Sequence, residues 1–188
     1  MGHINDVSKQ KKLGLIYLDG HGDFNTNQTT LTGNIHGMAL RLITQKSKNG
    51  LIKKERKLIN EENTSLIGTK DLDLQEEIDL ENSNVYVVKE EEFHKNFKNI
   101  VRKSLRRANK GTTGYHVSLD LDVIDPKITP GVSTPVKKGL TRKEIIKTMK
   151  MINTDKLTSI DFVESNPKYD KKDRTVKFVV ELIMKLCK

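Results

Sequence analysis

Cysteine is almost absent from this sequence: Cys187, beside the C-terminus, is the only one. One sulfur can build neither an internal disulfide nor a thiolate metal site. That suits a reducing compartment, and a cytoplasmic location is expected. Long apolar runs are missing as well. None approaches the roughly 18 residues that a membrane span needs, so no membrane partner is expected. The opening residues MGHINDVSKQKK contain no apolar core of a signal peptide. Asp6 breaks the myristoylation pattern that Gly2 would otherwise begin. Internal repeats and low-complexity linkers are not seen either, and a single domain over residues 1–188 is expected.

Charge, by contrast, is plentiful. The 34 Lys+Arg and 25 Asp+Glu leave a formal net charge of +9. A basic balance suits an anionic partner, yet most lysines are scattered among asparagines and glutamates. Only residues 102–110 (RKSLRRANK) form a dense basic stretch. That stretch ends a helix expected over residues 90–109, in which Phe93, Phe97, Ile100, Val101 and Leu105 share a face. The acidic start and basic finish of this helix suit its dipole, and Gly111 suits the turn that follows. The basic cluster therefore has an ordinary structural use, and nucleic acid is not the expected partner.

Strands alternate with helices along the chain. The apolar run at 13–18 (LGLIYL) predicts a strand buried on both faces. Further strands are expected at 64–68, 85–88, 115–121 and 156–163. A helix is expected to start at 37–44, and Thr141 to Glu144 form a capping box opening another. Residues 174–186 predict a closing amphipathic helix. The segment 46–57 is expected as loop or helix end, and 71–81 as an acidic loop. This order predicts an α/β fold: three layers, with helices on both faces of a mostly parallel sheet.

The stretch LGLIYLDGHGDFNT breaks from its apolar run into Asp19, His21 and Asp23, separated by Gly20 and Gly22. Residues at i, i+2 and i+4 share one face of extended chain, and the glycines let the backbone approach its neighbours closely. SLDLDVIDP repeats the pattern with Asp120 and Asp122 at the end of another strand. Open parallel sheets bind ligands at the carboxyl ends of their strands. Two such neighbouring tips would crowd four carboxylates and an imidazole, and their ionisation would be costly unless cations sat between them. Two divalent ions would balance the charge, and oxygen and imidazole donors without thiolate suit manganese. Such a pair activates water at neutral pH. Aspartates are also common in turns, and the spacing alone leaves that reading open.

Four segments, DGHGDFNT, TGNIHGMAL, SLDLDVIDPKITPGVSTPV and DFVESNP, resemble in this order the signatures of the arginase/agmatinase (ureohydrolase) family. The resemblance implies two Mn2+ ions on Asp19, His21, Asp23, Asp120 and Asp122, with Asp19 and Asp120 bridging. It implies a proton-shuttling His36, a Glu164 paired with the substrate guanidinium, and Asn25, Thr32 and Thr134 near the α-carboxylate. Asp73 and Glu76 in IGTKDLDLQEE match the arginase segment that receives the α-ammonium. The implied activity is hydrolysis of L-arginine to L-ornithine and urea. Related chemistry on agmatine or formiminoglutamate, or a truncated and impaired arginase-like protein, are the alternatives. The implied partners are a small guanidino substrate and further copies of the chain, as a trimer or hexamer. One departure stands out. The family's longer N-terminal portion supplies strands and a further histidine ligand. The resemblance offers His3 as the remnant of that segment, but too few residues join it to Leu13 for the family's intervening helix, so it is not counted on as a ligand.

Overall fold

The computed structural model describes residues 12–44 and 58–187; His3 and the segment 46–57 lie outside them. Among the described residues, five strands form one parallel sheet: β1 Leu13–Leu18, β2 Thr64–Thr69, β3 Tyr86–Lys89, β4 Gly114–Asp120 and β5 Leu157–Val163. Their spatial order is β3-β2-β1-β4-β5. The helices are α1 Ala39–Thr44, α2 Leu74–Glu81, α3 Glu90–Asn109, α4 Arg142–Met151 and α5 Arg174–Leu186. Among these residues no helix is long and apolar enough to cross a membrane.

Central strands β1, β2 and β4 are buried along their whole length. Strand alternation sorts their side chains into two cores. Leu13, Leu15 and Tyr17 pack with Phe24, Leu40, Ile43 and Leu80 under α1 and α2. Ile16 and Leu18 pack with Phe93, Ile100, Ile145 and Leu182 under α3, α4 and α5. Helices therefore cover both faces, as the sequence predicts. The physical reason lies in the path of the chain. It steps outward from β1 to β3, returns through α3, and steps the other way from β4 to β5. Crossovers between parallel strands are right-handed, so reversing the direction moves the connecting helices to the opposite face. The reversal falls between β1 and β4, and the crevice at their C-terminal ends is where such sheets bind ligands.

Three details bear on the sequence reading. The capping box of α4 is present, with the Thr141 side chain accepting from the N–H of Glu144; replacing such a cap with alanine costs about 1 kcal/mol. Helix α3 covers the expected span, with a kink at Asn96. The acidic stretch 71–81 is not a loop throughout: Leu74–Glu81 forms α2, capped by the Asp73 carboxylate on the N–H of Glu76. Its apolar periodicity is weak, since Ile78 stays exposed and Leu80 is the apolar residue it buries. The cap and the acidic first turn favour the helix there.

Candidate metal centre

Asp19 follows β1 directly, and its backbone N–H donates to Ile67 O at 3.0 Å. The extended path continues past it, because the N–H groups of Lys70 and Asp71 both donate to Gly20 O and His21 bridges to Asp71. Asp120 is the last residue of β4. Leu121–Val123 then wind into a short 3-10 turn that carries Asp122. The two tips share one device. Asp19 Oδ1 accepts from the backbone N–H of His21 at 2.7 Å, and Asp120 Oδ1 accepts from that of Asp122 at 2.8 Å. Each bond fixes a carboxylate through one oxygen.

The donors then converge. His21 Nδ1 lies 3.1 Å from Asp122 Oδ2 and 3.5 Å from Asp19 Oδ1. Asp122 is held further by the Gly20 N–H at 3.3 Å and by the Thr134 hydroxyl at 3.1 Å. Asp19, His21 and Asp122 can each offer one ligand atom within 4.8 Å of the others. Asp23 and Asp120 line the same cleft beside this group.

Burial dominates the electrostatics of these groups. Burial, and then the charge of Asp122, push the Asp19 carboxyl up to about 6. Burial, with Asp19 and Asp122 beside it, pushes Asp120 up to about 10. Burial also raises Asp23 well above the carboxylate range. Hydrogen bonds to Asp122 and Asp19 push the His21 imidazole up to about 11. Burial and mutual repulsion raise the carboxyls and hydrogen bonds raise the imidazole, a crowding that a divalent ion among them would relieve. Oxygen and imidazole donors fit a hard or borderline divalent metal.

The other residues chosen from the sequence surround this group in a cleft of about 350 Å³. Asn25 and Thr32 come from the loop after β1, and His36 opens the short 3-10 turn that ends it. Asp73 and Glu76 belong to the start of α2. Thr134 lies on the loop after β4, and Glu164 directly follows β5. His36 and Glu164 are exposed at the rim. Asn25 is buried, with its amide donating to Asp73 Oδ2 at 2.8 Å and its carbonyl accepting from the Thr29 hydroxyl at 2.8 Å. Glu76 is buried under the β1 loop, where Oε1 accepts from the Phe24 N–H at 2.7 Å. Burial pushes its carboxyl up to about 7. A Cβ on Gly22 would lie 2.4 Å from Glu76 Cδ, and one on Gly20 would lie 2.5 Å from Val136 Cγ1. The close approach expected of both glycines is present. Asp23 (φ 52°) and Glu164 (φ 61°) adopt left-handed backbone, a strain of about 1–3 kcal/mol each that tends to gather at functional sites.

Some cleft residues escaped sequence reading. Asp71 and Asn34 line the cleft, and Thr29 locks Asn25. Tyr17 donates its hydroxyl to Asp23 Oδ2 at 2.8 Å. Tyr17 had a usable signal, because it precedes Asp19 by two residues and so shares its face of the extended chain.

The Arginase family model matches residues 1–188. The arginase of Staphylococcus aureus (strain MRSA252) is 33% identical over 187 residues, covering 97% of this chain and 62% of that protein. The arginase of Brevibacillus brevis is 36% identical over 188 residues, covering 97% of this chain and 63% of its own length. Among solved structures, arginase from Bacillus caldovelox superposes with a TM-score of 0.92 at 34% identity, over 98% of this chain and 64% of that one. The chain thus spans somewhat under two thirds of the length of these relatives. It belongs to the arginase family.

Proposed function

We propose that this chain carries the catalytic centre of a hydrolase that cleaves the guanidinium group of L-arginine to L-ornithine and urea with two manganese ions. One observation carries the reading. Every site residue chosen from the sequence that lies among the described residues lines the same cleft, at the C-terminal ends of β1, β4 and β5. Asp19, His21, Asp23, Asp120 and Asp122 would hold the ions. The ions supply activated water by lowering its pKa toward neutrality.

The chain's own residues do the rest. Glu164, exposed at the rim, accepts the guanidinium N–H groups and sets its carbon over the carboxylate cluster. His36 lines the same cleft, open to solvent, and carries a proton between bulk water and the leaving amine. Asp73 is half-exposed, already oriented by Asn25 and by its cap on α2, and takes the substrate α-ammonium. Glu76 is buried behind Asp73, and its Oε1 fixes the loop by accepting from the Phe24 N–H. Thr32 offers a hydroxyl toward the α-carboxylate end, and Thr134 lies beside it with its own hydroxyl donating to Asp122. The same reading carries the expectation of a homo-oligomer, which sedimentation would test. Exposed Val176, Val180, Ile183 and Met184 on α5 support it, because they leave an apolar stripe open.

The direct test is urea release from L-arginine by the manganese-loaded protein, with agmatine run beside it. Release from arginine in preference to agmatine is the expected result. A folded, manganese-loaded protein that releases no urea from either would contradict the reading.

A further inference from the structure

One buried polar group at the cleft has no part in that chemistry: the hydroxyl of Tyr17. The residue is 6% exposed. Its ring packs among apolar side chains of the first core, including Leu15, Phe24 and Leu66. Phenylalanine would fill the same space. The added oxygen is accounted for by one contact, its 2.8 Å donation to Asp23 Oδ2. A phenol donates where a carboxylate can only accept.

Asp23 has little other freedom. Its backbone is left-handed, and its carbonyl accepts from the Arg41 N–H at 3.1 Å. The next residue, Phe24, is tied to Glu76. With the main chain pinned, the side-chain torsions decide where the carboxylate points, and the Tyr17 hydroxyl fixes one of its two oxygens. Asp23 Oδ1 is then the oxygen left for the cleft. The neighbouring group differs in kind. Asp19 and Asp122 take backbone N–H groups within the tips themselves, and with His21 they already converge within 4.8 Å.

We propose that Tyr17 is a positioning residue for metal binding: its hydroxyl sets Asp23 as a ligand of the less tightly assembled half of the centre, and so governs the weaker of two metal-binding steps. The inference rests on the reading of the cleft as a two-metal centre. Hydrogen-bond partners of metal ligands commonly change affinity by about 10- to 100-fold.

The test is calorimetric titration of metal-stripped protein with Mn2+, with bound manganese counted by elemental analysis. Wild type, Tyr17→Phe and Leu15→Ala are compared, each checked for folding by its thermal melt. Tyr17→Phe removes one oxygen and keeps the ring. Leu15→Ala damages packing on the same face of β1 without touching Asp23. The expected result is a weaker step reduced about 10-fold or more in Tyr17→Phe, with the tighter step within about twofold of wild type. Leu15→Ala should melt earlier yet keep both affinities. Unchanged steps in folded Tyr17→Phe overturn the inference, and so does an equal loss in Leu15→Ala. A single step in the wild type also overturns it, since no weaker step then exists. A wild type that takes up no manganese instead overturns the proposed function, and this inference with it.

Discussion

After β1 the chain stays extended, paired through His21 with Asp71, and it needs Gly20 and Gly22 to pass beneath Val136 and over Glu76. After β4 it coils at once, and Leu121, the counterpart of Gly20, buries a full side chain. Different backbones thus deliver ligands to one point. What the two tips share is an aspartate that accepts the N–H two residues ahead. Convergence of the ligands depends on that bond more than on strand alternation. Alternation places His21 correctly because extended pairing persists. It is not what places Asp122, which arrives on a helical turn.

The strongest way to break this equivalence is to remove the residue where the tips meet. Asp122 binds Gly20, Thr134 and His21 together. Asp122→Ala should lower manganese affinity by more than about 100-fold, beyond the range for partners that do not ligate; titration of metal-stripped protein reads it. Next in size is the substrate pocket beside the extended tip. Asp73→Ala should cut kcat/KM for arginine by about 10- to 100-fold, the worth of a charged hydrogen bond, and spare agmatine. Competition kinetics between the two substrates would show it.

Gly20→Ala sharpens the difference between the backbones. The new methyl meets the Val136 side chain, which must give way. A loss of about 1–3 kcal/mol is expected from such overpacking, read as a lower urea midpoint. Leu121→Ala at the coiled tip should instead lose stability by leaving a cavity, about 2–5 kcal/mol, with ligand geometry kept.

The smallest effect lies far from either tip. His94 on α3 hydrogen-bonds Glu90 through Nε2 at 2.7 Å and Glu144 on α4 through Nδ1 at 2.8 Å. Lys70 is the other charge on Glu90. Burial pulls the imidazole down, but bonds to Glu144 and Glu90 outweigh it and hold it above its ordinary 6.5. A raised folded pKa contributes stability in full below the unfolded value and loses it as pH rises through the folded one. His94→Gln should therefore cost more near pH 6 than near pH 9, by less than about 1 kcal/mol for a pair this exposed. Denaturation midpoints at the two pH values decide it.

Much of this was legible in the sequence, for reasons that differ by residue. LGLIYL announces a doubly covered strand because no polar side chain interrupts it. Thr141 and Glu144 announce a helix start because their bonds are local. The span of α2 was not legible, because its burial falls on Leu80 and its first turn looks like a solvated acidic loop. Tyr17 reads as core from its neighbours, and only its register with Asp19 and Asp23 hints at a second use. Glu76 stands out as acidic, yet nothing local shows that it lies buried under Gly22. Such contacts join segments far apart in the chain, and spacing carries no record of them.

The most direct measurement is the thermal melt of metal-stripped protein with and without Mn2+, paired with a count of bound ions. If the crowded carboxylates at the tips of β1 and β4 are built around dications, manganese at about a hundred times its dissociation constant should raise the melting temperature by about 5–10 °C. Asp122→Ala should abolish the rise. An unchanged melting temperature with no manganese bound at saturation would contradict the account.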